Sequence, residues 1–372
     1  MKAIVVAPGE SPVVNGLADR LPVSLIPLVD RPFIQHVTEL LIARGVTSIS
    51  FLLSRLPEKI EEVLGDGTRW GASFTYHLYR DPMQPVPALR TITCDSPDEP
   101  VLLAHAHTLP LLAPSALDTP DPDEPPSLFF CHDDDGSDCW SGWARVTAGM
   151  LDALDDVDEW NALPDAFARN DPTPVNIPFP RCLSIRSYRA LLKSQELLLS
   201  EPCDPLLLTG TEADPHIRLS RNVALHPSAR LTPPVFIGEN CRIGPRVSLG
   251  PNAVVSRNSV LEERCTVANS LILTGSYVGE ALDVQSALID RNRLINTEIG
   301  TAVTVSDDFI LGSITERTLG RSLLNVVSRI AGIVFLVLLS PLFLMMCVWR
   351  LLTAGKSVFS RRTCVKLPTS HD

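Results

Sequence analysis

The stretch from Cys131 to Cys139 concentrates side chains that can bind a metal ion. It reads Cys-His-Asp-Asp-Asp-Gly-Ser-Asp-Cys, with two thiols, one imidazole and four carboxylates. Structural zinc sites usually contain cysteines or histidines paired at short spacing, such as C-x-x-C, and neither cysteine has such a partner here. An acidic stretch with glycine and serine is typical of a solvated loop, so the pattern favours a loop over a metal site.

His105 and His107 form a second candidate, at the end of the apolar run that begins at Val101. Residues two apart on a strand share one face, so the two imidazoles are candidates for a metal-ligand pair. The alternative is that both rings are held by hydrogen bonds at the end of a sheet, which is the commoner role of such histidines.

An alternation of strands and helices must position these groups. The apolar runs Ala3–Ala7 and Ser48–Leu53 are typical of buried parallel strands. Helical periodicity follows each of them, at Pro32–Arg44 and Pro57–Leu64. This order predicts an α/β domain with a parallel sheet and crossover helices. Ligands of such sheets lie beyond the carboxyl ends of the strands, which here means the loop after Ala7.

Several short motifs within residues 1–200 occur together in one known family. They are Met1-Lys2-Ala3-Ile4-Val5, Arg31-Pro32, Arg44-Gly45, the run from Gly65 to Gly71, Asp81-Pro82 and Ala88-Leu89-Arg90. In these motifs the region resembles the sugar-nucleotide pyrophosphorylases, which are nucleotidyltransferases that join a sugar 1-phosphate to an NTP. The resemblance implies a Rossmann-like fold, and it implies Mg²⁺ as the cofactor if the activity survives.

The family's phosphate-binding groups are replaced in this chain. Its Gly-Gly-x-Gly-Thr-Arg loop matches the stretch from Pro8 to Val13, where prolines remove N–H donors and Val13 replaces the arginine. Val23 stands at the position of the family's lysine. His107 stands at that of a magnesium-binding Asp, and a second metal carboxylate falls near Leu183. Imidazole is a poor ligand for Mg²⁺, so we expect a degenerate active site with no metal and no assigned catalytic residue.

The remaining candidates for contact with a nucleotide are Ala7, Gly9, Gln84 and Ala88. Phosphoryl transfer depends mainly on positioning and charge neutralisation. The loss of the family's arginine, lysine and metal carboxylates therefore predicts weak binding of a nucleotide sugar, or a scaffolding role, without turnover. The rival hypothesis is an active nucleotidyltransferase that uses atypical groups, with Arg20, Lys59 and Arg69 as the candidates.

An aliphatic residue recurs every six positions over nine successive repeats. The positions are Leu225, Leu231, Ile237, Ile243, Leu249, Val255, Leu261, Val267 and Leu273. This is the hexapeptide signature of a parallel β-helix. It resembles the left-handed β-helices of hexapeptide acyltransferases and of the C-terminal domain of many pyrophosphorylases, which implies a homo-oligomer assembled through this domain. An acyltransferase would need a catalytic histidine, for which the repeat offers His226, and the domain order favours the pyrophosphorylase alternative.

Residues 330–349 carry no charge and are long enough, at about 30 Å of helix, to span a bilayer core. Ser340-Pro341 lies near the middle, so a spanning helix and a re-entrant hairpin are both open. Basic residues flank the run on both sides, which predicts attachment to the cytoplasmic face of the inner membrane. The segment from Arg329 to Val365 resembles the opening of bacterial polyprenyl-phosphate sugar-1-phosphate transferases without their catalytic Asp-Glu pair. A separate transferase of polysaccharide or glycolipid assembly is therefore an expected partner.

The composition excludes one class of partner and suggests a compartment. A net charge of −11 argues against nucleic-acid binding, and nine cysteines without a C-x-x-C pair favour a reducing environment. The expected fold class is a Rossmann-like α/β domain plus a left-handed β-helix plus a C-terminal membrane helix. The expected divisions are 1–200 (α/β, with a Pro/Asp-rich loop at 82–126), 201–220 (linker), 221–314 (β-helix), 315–329 (basic linker), 330–352 (membrane helix or hairpin) and 353–372 (basic tail).

Overall fold

The computed structural model describes most of the first 314 residues and a few near the C-terminus. The described residues are 2–8, 21–81, 84–92, 96–111, 126–132, 138–154, 157–169, 174–179, 181–201, 203, 206–307, 309–314, 339, 341, 345, 346, 348, 349 and 352. The chain divides into two compact units, Met1–Ile314 and Thr315–Asp372.

A seven-stranded sheet forms the centre of the N-terminal part of the first unit. From one edge to the other its strands are Val175–Phe179, Ser127–His132, Asp138–Thr147, Pro100–His105, Lys2–Ala7, Ser48–Leu53 and Ser73–Leu78. The central strand, Lys2–Ala7, pairs in parallel with both of its neighbours. All of its residues except Lys2 are buried, as expected for a strand that is covered on both faces.

Six α-helices lie in the described residues of this part. They are α1 (Phe33–Ala43), α2 (Pro57–Leu64), α3 (Val86–Leu89), α4 (Ala148–Asp152), α5 (Leu163–Arg169) and α6 (Tyr188–Ser200). Helix α1 begins directly after Pro32 and ends before Gly45, which has a φ of +79° that favours glycine. Ser187 caps α6, and its side chain accepts a hydrogen bond of 3.0 Å from the Ala190 N–H.

Shorter elements connect the sheet and the helices. Single 3₁₀ turns cover Val23–Leu25, Thr68–Trp70 and Trp160–Ala162, and short antiparallel pairs join Pro27–Leu28 to Arg31–Pro32 and Thr108–Pro110 to Cys182–Ser184. The 82–126 segment was expected to be a loop. Its described residues include α3 and the strands Pro100–His105 and Thr108–Pro110, while residues 112–125 lie outside the described residues.

The second part of the first unit is a three-faced parallel β-helix. The first face holds Ile217–Leu219, Val235–Ile237, Ala253–Val255, Ser270–Ile272 and Ala287–Asp290; the second holds Ala224–Leu225, Arg242–Ile243, Val260–Leu261 and Ser276–Val278; the third holds Arg230–Leu231, Ser248–Leu249, Thr266–Ala268 and Asp283–Gln285. Antiparallel strands close the two ends, at Thr211–Asp214, Arg293–Asn296, Ala302–Thr304 and Leu311–Ser313.

The hexapeptide pattern holds up to Val267 and then shifts by one residue. Ala253 pairs with Ser270, which is 17 positions later, whereas earlier coils pair residues 18 apart. Ile272, not Leu273, therefore follows Val255 inside the coil, and Leu273 packs in the core shared with the α/β part. The ninth predicted position is wrong because one side of the triangle is a residue shorter, which a strict six-residue period does not reveal.

Asparagines at the corners of the coils stack into two hydrogen-bonded ladders. Asn222, Asn240 and Asn258 have φ values of +55° to +58° and join in sequence through side-chain bonds of 2.7 and 3.1 Å. Asparagine tolerates this left-handed conformation better than most residues. Asn252 and Asn269 form the second ladder, with a bond of 2.8 Å.

Helix α6 joins the β-helix to the α/β part. Outward-facing residues of the first face, such as Phe236 and Leu271, share one apolar core with Leu191 of α6. Within this apolar contact, Gln195 Nε2 donates to Asn252 Oδ1 at 3.0 Å, and Asn252 Nδ2 donates to the Leu192 carbonyl at 3.1 Å. Because these polar groups are buried, their hydrogen bonds define how the two parts fit together.

The structure does not support the membrane helix that the sequence predicts for residues 330–352. Much of that segment lies outside the described residues, and no helix among those described is long and apolar enough to cross a membrane. The expected fold class is therefore wrong in its third component, and so is attachment to the inner membrane. The prediction rested on the number of apolar residues alone, whereas a span also needs a continuous helix of about twenty residues.

Replacing Asn252 tests whether the buried contact with α6 stabilises the fold. Asn252→Ala is expected to lower the free energy of unfolding by about 2–4 kcal/mol, because Gln195 and the Leu192 carbonyl lose buried partners. The matched control is Asn222→Ala, which changes a left-handed corner of the same ladder type at an exposed site and should cost about 1 kcal/mol. Urea unfolding of the full chain measures both, and equal losses would contradict the role given to Asn252.

Candidate active site

The carboxyl ends of the parallel strands meet at one edge of the sheet, which we call the carboxyl edge. Ala7 lies opposite Leu53, and Val6 opposite His105, in the parallel ladders. Parallel sheets of this type bind ligands at this edge, beyond the strand ends. His107 comes two residues after His105, so both histidines lie at the predicted position.

His107 is held against the backbone of the loop that follows Ala7. Its Nε2 lies 3.2 Å from the Pro8 carbonyl oxygen, and the residue is 3% exposed. Since a carbonyl only accepts, Nε2 carries the proton of a neutral ring. Burial lowers the pKa of His107 to about 3, with a further contribution from the charge of Arg186. The imidazole is therefore an uncharged hydrogen-bond donor.

His105 is buried beside His107 and packs in an aromatic cluster. The two imidazole rings are 4.9 Å apart and nearly perpendicular, and Trp160 lies 5.3 Å from His105 on another side. Its Nδ1 accepts the backbone N–H of His107 at 3.3 Å. Burial lowers the pKa of His105 well below its usual value, and His107 and Arg186 lower it further. Gly142 makes this packing possible, because a Cβ there would lie 2.6 Å from the His105 Cβ.

Arg186 brings a positive charge to the same edge. The short strand Cys182–Ser184 pairs with Thr108–Pro110, and the Ile185 N–H donates to the His107 carbonyl at 2.9 Å. This positions Arg186, whose Nη2 donates to the Trp140 carbonyl at 3.2 Å. Helix α6 begins at Tyr188, so Arg186 lies in the connection before it.

A cavity of about 630 Å³ opens beside Arg186, between the sheet and α6. Its lining includes Thr108, Ser141, Cys139, Arg186 and Lys193. Its size falls within the range of small-molecule sites. The wall also carries Arg181, Glu196 and Glu201, of which Arg181 and Glu201 form an ion pair. Arg186, Lys193 and several hydroxyl groups suit an anionic ligand that carries hydroxyls.

Three cysteines line this carboxyl-edge cavity. Cys131 lies opposite Cys139 on neighbouring antiparallel strands and forms a hydrogen bond with Cys182. That bond, together with burial, raises the pKa of Cys131 strongly and keeps it a neutral thiol. The described residues contain no cluster of three histidine, cysteine or acidic side chains able to hold a metal ion, and residues 133–137 lie outside them.

The predicted site residues differ in how deeply they are buried. Ala7 and Val23 are fully buried in the same apolar core, and Leu183 is fully buried as well. Gln84 is exposed before α3, and Ala88 is half-buried within α3. The assignment of Ala7, Gln84 and Ala88 to nucleotide binding stays a prediction.

Further predicted residues are absent from the carboxyl-edge cavity or lie outside the described residues. Gly9, Val13 and Arg20 belong to the undescribed stretch 9–20. Lys59 and Arg69 line a different cleft, which shares no lining residue with the cavity beside Arg186.

His226 is exposed at a corner of the β-helix. Its Nδ1 lies 2.8 Å from Ser228 Oγ and 3.2 Å from the Ser228 backbone nitrogen. These contacts are those of a residue that stabilises a local turn.

Comparison with known proteins gives a domain match and two further similarities. Residues 215–318 match the GMPPB C-terminal domain. A UTP–glucose-1-phosphate uridylyltransferase from Synechocystis sp. is 33% identical over 76 residues, which is 20% of this chain and 20% of that protein. The matched region thus spans about a fifth of the length of this curated relative. A Bacillus anthracis structure described as a glucose-1-phosphate thymidylyltransferase, in complex with a sucrose, has a TM-score of 0.46 at 12% identity and covers 56% of this chain and 97% of that chain.

The domain match covers residues 215–318 and the uridylyltransferase similarity covers 76 residues, so each similarity concerns only a part of this chain. The match to residues 215–318 covers the β-helix, where the hexapeptide pattern had predicted such a domain.

The neutral state of His107 predicts a specific pH dependence of stability. The unfolded histidine binds a proton near its ordinary pKa of 6.5, whereas the folded residue stays neutral down to about 3. Its contribution is therefore complete above pH 6.5 and is lost as the pH falls towards 3, by up to about 1.4 kcal/mol per pH unit.

His107→Asn should flatten this dependence, because an amide can donate to the Pro8 carbonyl without titrating. Urea unfolding at pH 7, 6, 5 and 4 measures the slope. The exposed His226→Asn serves as the control and should keep the wild-type slope. A His107→Asn slope equal to that of the wild type would show that His107 does not stay neutral in the fold.

Proposed function

We propose that this chain is a sugar-nucleotide pyrophosphorylase-like protein that binds a nucleotide sugar in the carboxyl-edge cavity and does not catalyse nucleotidyl transfer. It would act in polysaccharide or glycolipid biosynthesis, beside separate enzymes that carry out the transfers. The family resemblance and the comparisons support the class of protein, and the geometry at the carboxyl edge supports the loss of turnover.

The hydrogen bond between His107 and Pro8 is the observation that carries this proposal. Mg²⁺ requires oxygen ligands with negative or strong partial charge. The residue at the family's aspartate position instead offers a protonated ring nitrogen, already bonded to the Pro8 carbonyl at 3.2 Å. Leu183, near the second metal position, is apolar and fully buried. The residues present therefore do not fit a magnesium ion.

Burial of Val23 supports the same conclusion. The family resemblance implies a phosphate-neutralising lysine at this position, but the Val23 side chain is fully buried within a 3₁₀ turn. An apolar side chain inside the core cannot compensate the charge that develops during phosphoryl transfer.

The carboxyl-edge cavity nevertheless retains features that suit binding. Arg186 and Lys193 bring positive charge to its wall, while Thr108 and Ser141 bring hydroxyl groups. A nucleotide sugar carries a diphosphate and many hydroxyls, so its chemistry complements this lining. These groups can bind an anion without turnover, because neither Arg186 nor Lys193 needs a metal ion to contact it.

The rival proposal of an active enzyme loses part of its support. Lys59 and Arg69 were its candidate phosphate-binding groups, yet they line a cleft separate from the carboxyl-edge cavity. Arg20 lies outside the described residues.

A pyrophosphate-release assay tests the absence of turnover. The full chain, with Mg²⁺, each of four NTPs and common sugar 1-phosphates, is expected to give no pyrophosphate above background, because His107 and Leu183 at the family's metal positions offer no carboxylate. An active pyrophosphorylase run in parallel shows that the assay works. Pyrophosphate release that disappears in Arg186→Ala would disprove the proposal.

Titration calorimetry with UDP-glucose, GDP-mannose and dTDP-glucose tests binding. Arg186→Ala should weaken the best of these ligands by about tenfold, which is about 1.4 kcal/mol, through the loss of a charge-assisted contact. Arg189→Ala removes an exposed arginine from the neighbouring turn of α6 and should leave the affinity unchanged. If none of the three ligands binds, or if both variants behave alike, the carboxyl-edge cavity is not a nucleotide-sugar site.

A further inference from the structure

A second cavity, of about 760 Å³, lies between the α/β part and the β-helix, and we call it the interdomain cleft. Arg31, Lys59 and Arg69 line it from the α/β side. Arg257 and Arg291 line it from the β-helix side. The proposed function makes no use of this cleft.

Positive charge predominates in the interdomain cleft. Its five basic residues face three acidic ones, Asp30, Glu239 and Asp290. Arg31 is already engaged, because it pairs with Asp30 and Glu39. Arg257 and Arg291 make no ion pair with any residue that the structure describes, and both are exposed. A chain with a net charge of −11 repels anions at long range, so this local excess of cations is the kind of feature that an anionic ligand requires.

A buried hydroxyl group without a partner provides independent evidence for a ligand. Ser256 lines the interdomain cleft and is 5% exposed, yet its Oγ has no hydrogen-bond partner. Buried polar atoms are nearly always paired, so an orphan at the wall of a cavity suggests a group supplied from outside the protein.

Apolar and backbone surfaces complete the interdomain cleft. Phe236 and Leu273 contribute largely buried side chains to its wall. Gly238 also lines it, and a Cβ at this position would lie 2.6 Å from the Arg257 backbone nitrogen. A ligand that fills such a cleft carries an apolar or sugar-like body in addition to its negative charge.

We propose that the interdomain cleft binds a small organic phosphate ester. The phosphate lies against Arg257 and Arg291, and a hydroxyl or ester oxygen of the ligand pairs with Ser256. This site is independent of the carboxyl-edge cavity, since the two have no lining residue in common.

Titration calorimetry on the full chain at low salt tests this proposal with glucose 6-phosphate and inorganic phosphate as probes. Glucose 6-phosphate should bind, and inorganic phosphate should bind at least tenfold more weakly because it lacks a body that contacts Phe236 and Leu273. The double variant Arg257→Ala/Arg291→Ala should weaken glucose 6-phosphate at least tenfold. Ser256→Ala should weaken it by about threefold.

The matched control is Arg230→Ala/Arg242→Ala, which removes the same charge from exposed positions on the other two faces of the β-helix. Equal weakening in both double variants would overturn the proposal, because it would reflect the overall charge alone. No binding of glucose 6-phosphate, or equal binding of the two probes, would overturn it as well. Arg186→Ala should leave glucose 6-phosphate binding unchanged, so failure of this site and failure of the nucleotide-sugar site are separable.

Discussion

Helix α6 is constrained on two sides, and both candidate regions of the first unit depend on its position. One side lines the carboxyl-edge cavity through Lys193 and Ala190. On another side Gln195 bonds to Asn252, and the apolar residues of α6 share a core with the outer face of the β-helix. Buried hydrogen bonds have strict geometry, so the β-helix defines where α6 lies and how wide the cavity beside Arg186 is.

The charges at the two cavities follow from a common constraint. Ionised groups are costly to bury without partners, and the histidines at the carboxyl edge respond by remaining neutral. Burial is the main reason that the pKa of both His105 and His107 is lowered, and the charge of Arg186 lowers it further. Positive charge thus comes from arginine and lysine alone at the carboxyl edge, as it does in the interdomain cleft.

The first buried strands with their helices and the β-helix were readable from residue periodicity, since burial on both faces and the six-residue repeat leave direct patterns. Other features were not. The one-residue shortening before Ile272 depends on how neighbouring coils pair: Ser270 takes the inner position, and Leu271 faces outward into the core shared with α6. The apolar run at 330–349 predicted a membrane helix from composition, and composition does not establish a continuous helix.

By itself, the sequence determined the types of the main elements, and it predicted the replacement of the family's charged groups and a site beyond Ala7, because these depend on residue type and local spacing. Only the tertiary structure decided that His107 is bonded to Pro8, that Arg186 lies beside it, and that Lys59 and Arg69 belong with Arg257 in a different cleft. These contacts join residues far apart in the chain, and local patterns carry no information about which distant side chains meet.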